Sequence, residues 1–136
     1  GYSGMVIEHG IEVNSLCSHH LLPFTGFCSI AYISKDNGQV LGLSKLNRIV
    51  HWFAKRPQLQ EQLTKQIHDY LCEVFGESVL GVAVYIEAEH MCVSMRGAED
   101  NSTMTTHYCS GAFLDNKMNS RDEFLRAIQI YKLGRK

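Results

Sequence analysis

At Leu43 the apolar residues of this 136-residue chain change their spacing, and that change dictates what the chain can fold into. Before it, residues 5–13 and 24–33 interleave β-branched and aromatic residues with polar ones, the two-residue period of half-buried strands. Asp36-Asn37-Gly38 makes the turn out of the second strand. From Leu43 on, Leu46, Ile49, Val50 and Phe53 fall on one helical face. Arg56-Pro57 breaks that helix, and a second follows with Pro57 near its start, a stripe of Leu59, Leu63, Ile67, Tyr70, Leu71 and Val74, and Gly76 at its end. Strand patterning returns over 79–88, 91–95 and 104–113. Ser120-Arg-Asp-Glu123 then reads as a capping box ahead of a last helix with Phe124, Ile128 and Tyr131. The expectation is an α+β domain: an antiparallel sheet with helices packed on one face, in the order ββααββ plus a C-terminal helix. No repeat or linker divides it. The open edges of such a sheet are places where further copies of the chain can add.

Composition narrows the function classes. With 45% hydrophobic and 20% charged residues, the chain supports a single domain with its own core. A net charge of -1 excludes a generally basic nucleic-acid surface, so an anionic ligand has to be met by a local group of cations. No apolar run approaches membrane-spanning length and no signal-peptide pattern opens the sequence. Five cysteines without a disulfide-like framework favour a reducing, cytoplasmic setting. Cys28, Cys72 and Cys109 sit among apolar residues and read as core packing.

Two short clusters carry chemistry. Cys17-Ser-His19-His20 puts a thiolate and an imidazole at a spacing where one turn can place both on Zn²⁺. His90-Met-Cys92 has the same make-up and can supply a third ligand. Each cluster leaves a histidine over, which suits a catalytic metal with separate acid/base groups better than a closed structural site. Spacing does not say whether His19 or His20 binds the metal. The plainer alternative makes Cys17 and Cys92 ordinary buried cysteines. Elsewhere, Ser44, Lys45 and Arg48 crowd the first turns of the first helix, where the macrodipole disfavours cations. A phosphate bound at that terminus would remove the conflict; a solvated basic face is the alternative. Arg96 is a further candidate phosphate ligand, and no Walker loop or dinucleotide glycine fingerprint is present.

The stretches Cys17-Ser-His-His-Leu-Leu-Pro-Phe-Thr-Gly26, Gly42-Leu-Ser-Lys-Leu-Asn-Arg48, Arg56-Pro-Gln-Leu-Gln-Glu-Gln-Leu-Thr64 and Glu89-His-Met-Cys-Val-Ser-Met-Arg-Gly97 together resemble GTP cyclohydrolase I. The resemblance runs in order over residues 5–124. It implies a tunnelling fold (T-fold), with sheets joined into a ring and two rings stacked as a homodecamer whose active sites lie at subunit interfaces. The implied reaction is hydrolysis of GTP at C8 and rearrangement to 7,8-dihydroneopterin triphosphate and formate, the entry to folate and tetrahydropterin synthesis. By motif position, Cys17, His20 and Cys92 are the implied zinc ligands and His19 and His90 the acid/base pair, with Ser44 assisting. Ser44, Lys45, Arg48 and Arg96 hold the triphosphate in this reading, and Gln60 with Glu61 the guanine. Family members carry a helical region before the first strand. Here Met5 stands almost at the start, so residues 1–136 read as one catalytic domain with that region largely absent. Rival readings are a related purine or pterin enzyme of the same fold and a non-catalytic zinc-stabilised GTP-binding oligomer. The cysteine pair argues against a pterin synthase, expected to have a histidine-only zinc site, and against a deazaguanine nitrile reductase.

Overall fold

The computed structural model describes residues 4–35, 40–91 and 102–135. Four strands, β1 (Met5–Leu16), β2 (Pro23–Ser34), β3 (Val79–His90) and β4 (Met104–Cys109), form one antiparallel sheet in the order β1-β2-β3-β4. Helices α1 (Leu43–Ala54) and α2 (Gln60–Phe75) lie between β2 and β3 in sequence, and α3 (Ser120–Gly134) follows β4. This is the expected element order.

Side-chain alternation along β2 separates two cores. Phe24, Cys28, Ile30 and Tyr32 pack with Leu46 and Val50 of α1 and Leu63, Ile67 and Leu71 of α2. Phe27, Ala31 and Ile33 point the other way, against Phe113 and against Phe124 and Ile128 of α3. The one-face arrangement therefore holds for α1 and α2, whereas α3 covers the opposite face. A bulge in β1 between Glu8 and Ile11 prepares that second face. It moves Met5 and Ile7 to the α3 side and leaves Ile11 and Val13 on the α1 side. Gly10 holds the bulge at φ 75, where a side chain would be strained and would meet the Tyr131 hydroxyl. The Tyr131 ring stacks on His9 at 4.7 Å, and Lys132 Nζ lies 2.7 Å from Glu87 Oε1. Each fully buried Phe or Ile on α3 contributes about 1.5–3 kcal/mol to this docking.

Helix α2 ends at Gly76, whose φ of 57 turns the chain and lets its N–H bond to Cys72 O. Its buried face differs from the expected stripe. Leu63, Ile67 and Leu71 are inside, but Tyr70 is 42% exposed. Gln60, Thr64 and His68 are buried instead, and with half-buried Cys72 they form a polar ridge at four-residue spacing beside β3 and β4.

Three further expectations are corrected. Strand β4 stops at Cys109, because Gly111, at φ 60, turns the chain into a 3₁₀ segment, Gly111–Leu114, that buries Phe113. The capping box does not form: Asn119, at φ 54, is the residue before α3, Ser120 lies buried inside the helix, and no side chain caps it. Met91 has helical backbone rather than opening a strand. Residues 92–95 and the Asp36-Asn37-Gly38 turn lie outside the described residues. Among the described residues, no helix is long and apolar enough to cross a membrane.

Candidate active site

The β1–β2 connection folds as a closed loop. Cys17 N–H donates to Leu22 O at 2.8 Å and Leu21 N–H to Cys17 O at 2.7 Å, with Leu21 in the left-handed region at φ 54. The loop is strapped to the segment before α2. Ser18 N–H donates to Gln58 O at 3.0 Å, and Gln58 N–H to Leu16 O at 2.8 Å. The buried Gln58 amide in turn donates to Phe53 O at 2.8 Å and to Gln66 Oε1 at 3.1 Å, tying the loop to both helices. Cys17 is thereby buried while His19 and His20 face solvent. Cys17 Sγ lies 4.0 Å from His20 Nδ1. Two such donors on one tetrahedral zinc stand about 3.6 Å apart, given bonds of about 2.3 and 2.0–2.1 Å, so a small closure brings this pair onto one ion. The His19 ring sits edge-on to His20 at 6.3 Å. Among the described residues no three His, Cys, Asp or Glu side chains cluster as a metal site, and Cys92, the third expected ligand, lies outside them.

His90 ends β3 at the same end of the sheet. Its partner across the ladder is Phe24, which pairs in turn with Ser15 just ahead of the Cys17 loop. The imidazole stacks on Phe24 at 4.7 Å and 10°. Burial pushes its pKa below the ordinary value, and the exposed Glu61 carboxylate pulls it partly back. His90 Nε2 lies 2.7 Å from Gln60 Oε1. The Gln60 Nε2 group faces two backbone acceptors, Ile86 O at 3.2 Å and Met104 O at 2.9 Å, so it must be the NH₂ end of the amide. Oε1 then faces His90, whose Nε2 must carry the hydrogen. In the neutral ring the basic lone pair is therefore on Nδ1.

Two threonines lock this amide. Gln60 Nε2 also contacts Thr106 Oγ1 at 3.1 Å; the two threonine hydroxyls lie 2.7 Å apart; and Thr64 O–H donates to Gln60 O at 2.8 Å. Thr106 must then be the donor to Thr64, and the chain of donors closes on the residue where it began. Sequence reading placed Gln60 at the guanine and missed its clamp on His90. The available signal was polar residues at 60, 64 and 68, four apart, beside an apolar stripe.

Ser44, Lys45 and Arg48 are exposed on the first turns of α1, as expected, and no acidic side chain shares that turn. Lys45 and Arg48 also line a groove of ≈ 440 Å³ with Trp52, Phe53 and Tyr70. The chain does not bring them to Cys17. The C-terminal end of α1 adjoins the Cys17 loop, Ser15 O–H donating to Arg56 O at 3.2 Å, whereas its start follows Leu41, whose backbone lies beside the Tyr32 hydroxyl. The eight steps along the strand from Phe24 to Tyr32 span roughly 26 Å, and a 12-residue helix roughly 18 Å. The candidate phosphate and metal groups thus lie toward opposite ends of the sheet within one chain. Arg96 lies outside the described residues.

Residues 1–129 match the family described as GTP cyclohydrolase I. The chain belongs to the GTP cyclohydrolase I family. Among relatives, GTP cyclohydrolase 1 1 of Pseudomonas syringae pv. tomato is 55% identical over 125 residues, 91% of this chain and 64% of its own length. GTP cyclohydrolase 1 of Pseudoalteromonas translucida is 53% identical over 126 residues, covering 92% of this chain and 66% of its own length. The family chain described here thus spans a little under two thirds of those two relatives. A crystal structure of the archaeosine synthase QueF-Like in the apo form superposes with a TM-score of 0.67 at 16% identity, covering 82% of this chain and 98% of that one. That likeness shows the T-fold.

Proposed function

We propose that this chain is a zinc-dependent GTP cyclohydrolase I that hydrolyses GTP at C8 and rearranges the product to 7,8-dihydroneopterin triphosphate and formate. The observation that carries the reading is the convergence, at one end of the sheet, of the Cys17–His20 pair with a His90 whose tautomer Gln60 fixes. A thiolate beside an imidazole is a donor set suited to zinc, and Cys17, His20 and Cys92 would hold it. When bound, zinc supplies a Lewis acid that lowers the pKa of a water to about 7. A reducing, cytoplasmic setting would keep the Cys17 thiol available for such a site.

The chain's own groups handle the protons. Hydration of guanine C8 requires a proton to reach a ring nitrogen, and opening of that ring with loss of formate requires further transfers. His90 serves through Nδ1, since Nε2–H is committed to Gln60. Exposed His19 is the second carrier, and Ser44 assists the later ribose and pterin steps. Glu61 accepts from guanine N1–H and the exocyclic N2–H₂, two donors that adenine lacks. Gln60, with its N–H groups already engaged, acts on the base through a remaining carbonyl lone pair and through His90. Glu61→Ala should lower kcat/KM for GTP about tenfold to a hundredfold, the worth of charged hydrogen bonds, with zinc content unchanged in metal analysis. Parent-like GTP kinetics in that variant would move base reading elsewhere.

The separation of Ser44, Lys45 and Arg48 from the metal end makes the site a shared one. In this reading β1 and β4 edges join copies into a ring, two rings form a homodecamer, and one copy's α1 brings the triphosphate to another's Cys17, His90 and Arg96. Inactive Lys45→Ala and inactive Arg96→Ala protomers, when mixed, should recover part of the activity. A fully active monomer in sedimentation and assay would sink the shared site. Incubation with GTP, followed for formate and a pterin absorbance, tests the function itself; GTP bound without either product would point to a non-catalytic role.

A further inference from the structure

The polar ridge of α2 closes, beyond Thr64, on a constellation that the GTP reaction does not use. His68 is buried, with Nδ1 2.9 Å from Asp69 Oδ1 and Nε2 2.8 Å from Ser110 Oγ. Half-buried Cys72, one turn on, places Sγ 3.5 Å from Ser110 Oγ and 3.6 Å from His68 Nε2. Tyr108 covers the imidazole at 4.7 Å. The hydrogen bond from Lys65, and after it the one from His68, hold the Asp69 carboxyl below its ordinary pKa, so it is ionised and only accepts.

Counting donors orders the cluster. Asp69 takes the Nδ1 hydrogen, which leaves the lone pair on Nε2. Ser110 O–H fills that lone pair at 2.8 Å rather than the farther Val82 O at 3.5 Å, and the Ser110 oxygen is then free to accept from Cys72 S–H. A thiol, a hydroxyl, an imidazole and a carboxylate thus stand in one donor chain. That is the nucleophile, base and orienter logic of activated thiols with a hydroxyl inserted. Cys72 packs against the main core as expected, but its sulfur also faces Ser110 and His68. Cys28 also meets the core-packing expectation, and full burial pushes its thiol pKa up strongly, the neighbouring Glu8 adding to the effect.

We propose that Cys72 is a site of peroxide modification, its thiol deprotonated through Ser110 by His68, which Asp69 orients. The S–H proton passes to Ser110 and the Ser110 proton to His68 Nε2. The thiolate attacks one oxygen of hydrogen peroxide, an S–O bond forms, the O–O bond breaks, and the departing hydroxide takes the proton back from His68 as water. Sulfur is oxidised to sulfenic acid and peroxide is reduced. The surroundings permit entry of so small an oxidant, since Cys72 is only half-buried and Asp69 and Tyr108, which flank the His68 imidazole, are exposed.

The test treats the whole protein with hydrogen peroxide, traps sulfenic acid with dimedone and maps adducts on all five cysteines. Cys72 should react at least about tenfold faster than Cys28 or a short peptide containing Cys72. His68→Gln and Ser110→Ala should each cut the Cys72 rate about tenfold or more, a conservative floor beneath the usual roughly 10²- to 10⁴-fold worth of a general base, without changing adducts elsewhere. Asp69→Asn, at an exposed position, should cut it less. If His68→Gln does not fold, Ser110→Ala and Asp69→Asn decide. A Cys72 rate equal to that of the free peptide, or a rate unchanged in both of those variants, overturns the proposal.

Discussion

Cys17→Ser, His20→Ala and Cys92→Ser should each purify without stoichiometric zinc and without measurable GTP turnover. A serine hydroxyl is a poor substitute for thiolate, and loss of a direct ligand should exceed the roughly 10- to 100-fold affinity cost of losing a group that merely supports one. The fold should survive. Cys17 belongs to a loop held by backbone bonds to Gln58 and Leu22, and the core beneath it is built from Phe24, Leu46, Leu63 and their neighbours. Metal analysis beside a melting curve separates the two effects: zinc lost, transition temperature little changed. Full zinc and full turnover in Cys92→Ser would end the ligand assignment. Metal lost from His19→Ala but kept by His20→Ala would exchange the two histidines.

His90→Ala should retain zinc and lose about 10²- to 10⁴-fold in kcat, the usual worth of a positioned acid/base group. Gln60→Leu makes the informative comparison. It removes the acceptor that holds Nε2–H and the amide N–H groups that reach Ile86 O, Met104 O and the Thr106 hydroxyl. Each buried group left unpaired costs about 1–3 kcal/mol, so this variant should melt lower as well as turn over more slowly. His90→Ala should show the catalytic loss with little of the thermal one. Parent-like kcat in His90→Ala would remove His90 from the chemistry.

The sequence made the element order legible because strands and helices differ in period, and the change at Leu43 is abrupt. It hid which face α3 covers. That depends on a bulge at Gly10 and a turn at Gly111, and both rest on positive φ values that no period reports. The candidate metal pair was legible because Cys17 and His20 are near in sequence, and the structure places Sγ 4.0 Å from Nδ1. The Gln58 strap and the Gln60 clamp were not. They join residues from 26 to 46 positions apart to the site's framework, and they use glutamines that local pattern assigns to a helix surface. Likewise the basic turn of α1 was legible as a candidate anion site, but its distance from Cys17 is a property of topology.

The ridge of Gln60, Thr64, His68 and Cys72 also acts as a ratchet stop for α2. An apolar helix face can slide along a sheet by one turn, about 5.4 Å, and find new apolar partners. Here such a slide would take Gln60 from Met104 O, Thr64 from Thr106 and His68 from Ser110 at once. At about 1–3 kcal/mol for each group stranded, the displaced setting is steeply disfavoured. Polar contacts along the length of α2 thus index its position, as teeth do a gear, and hold Glu61 and the His90 nitrogen in one fixed relation.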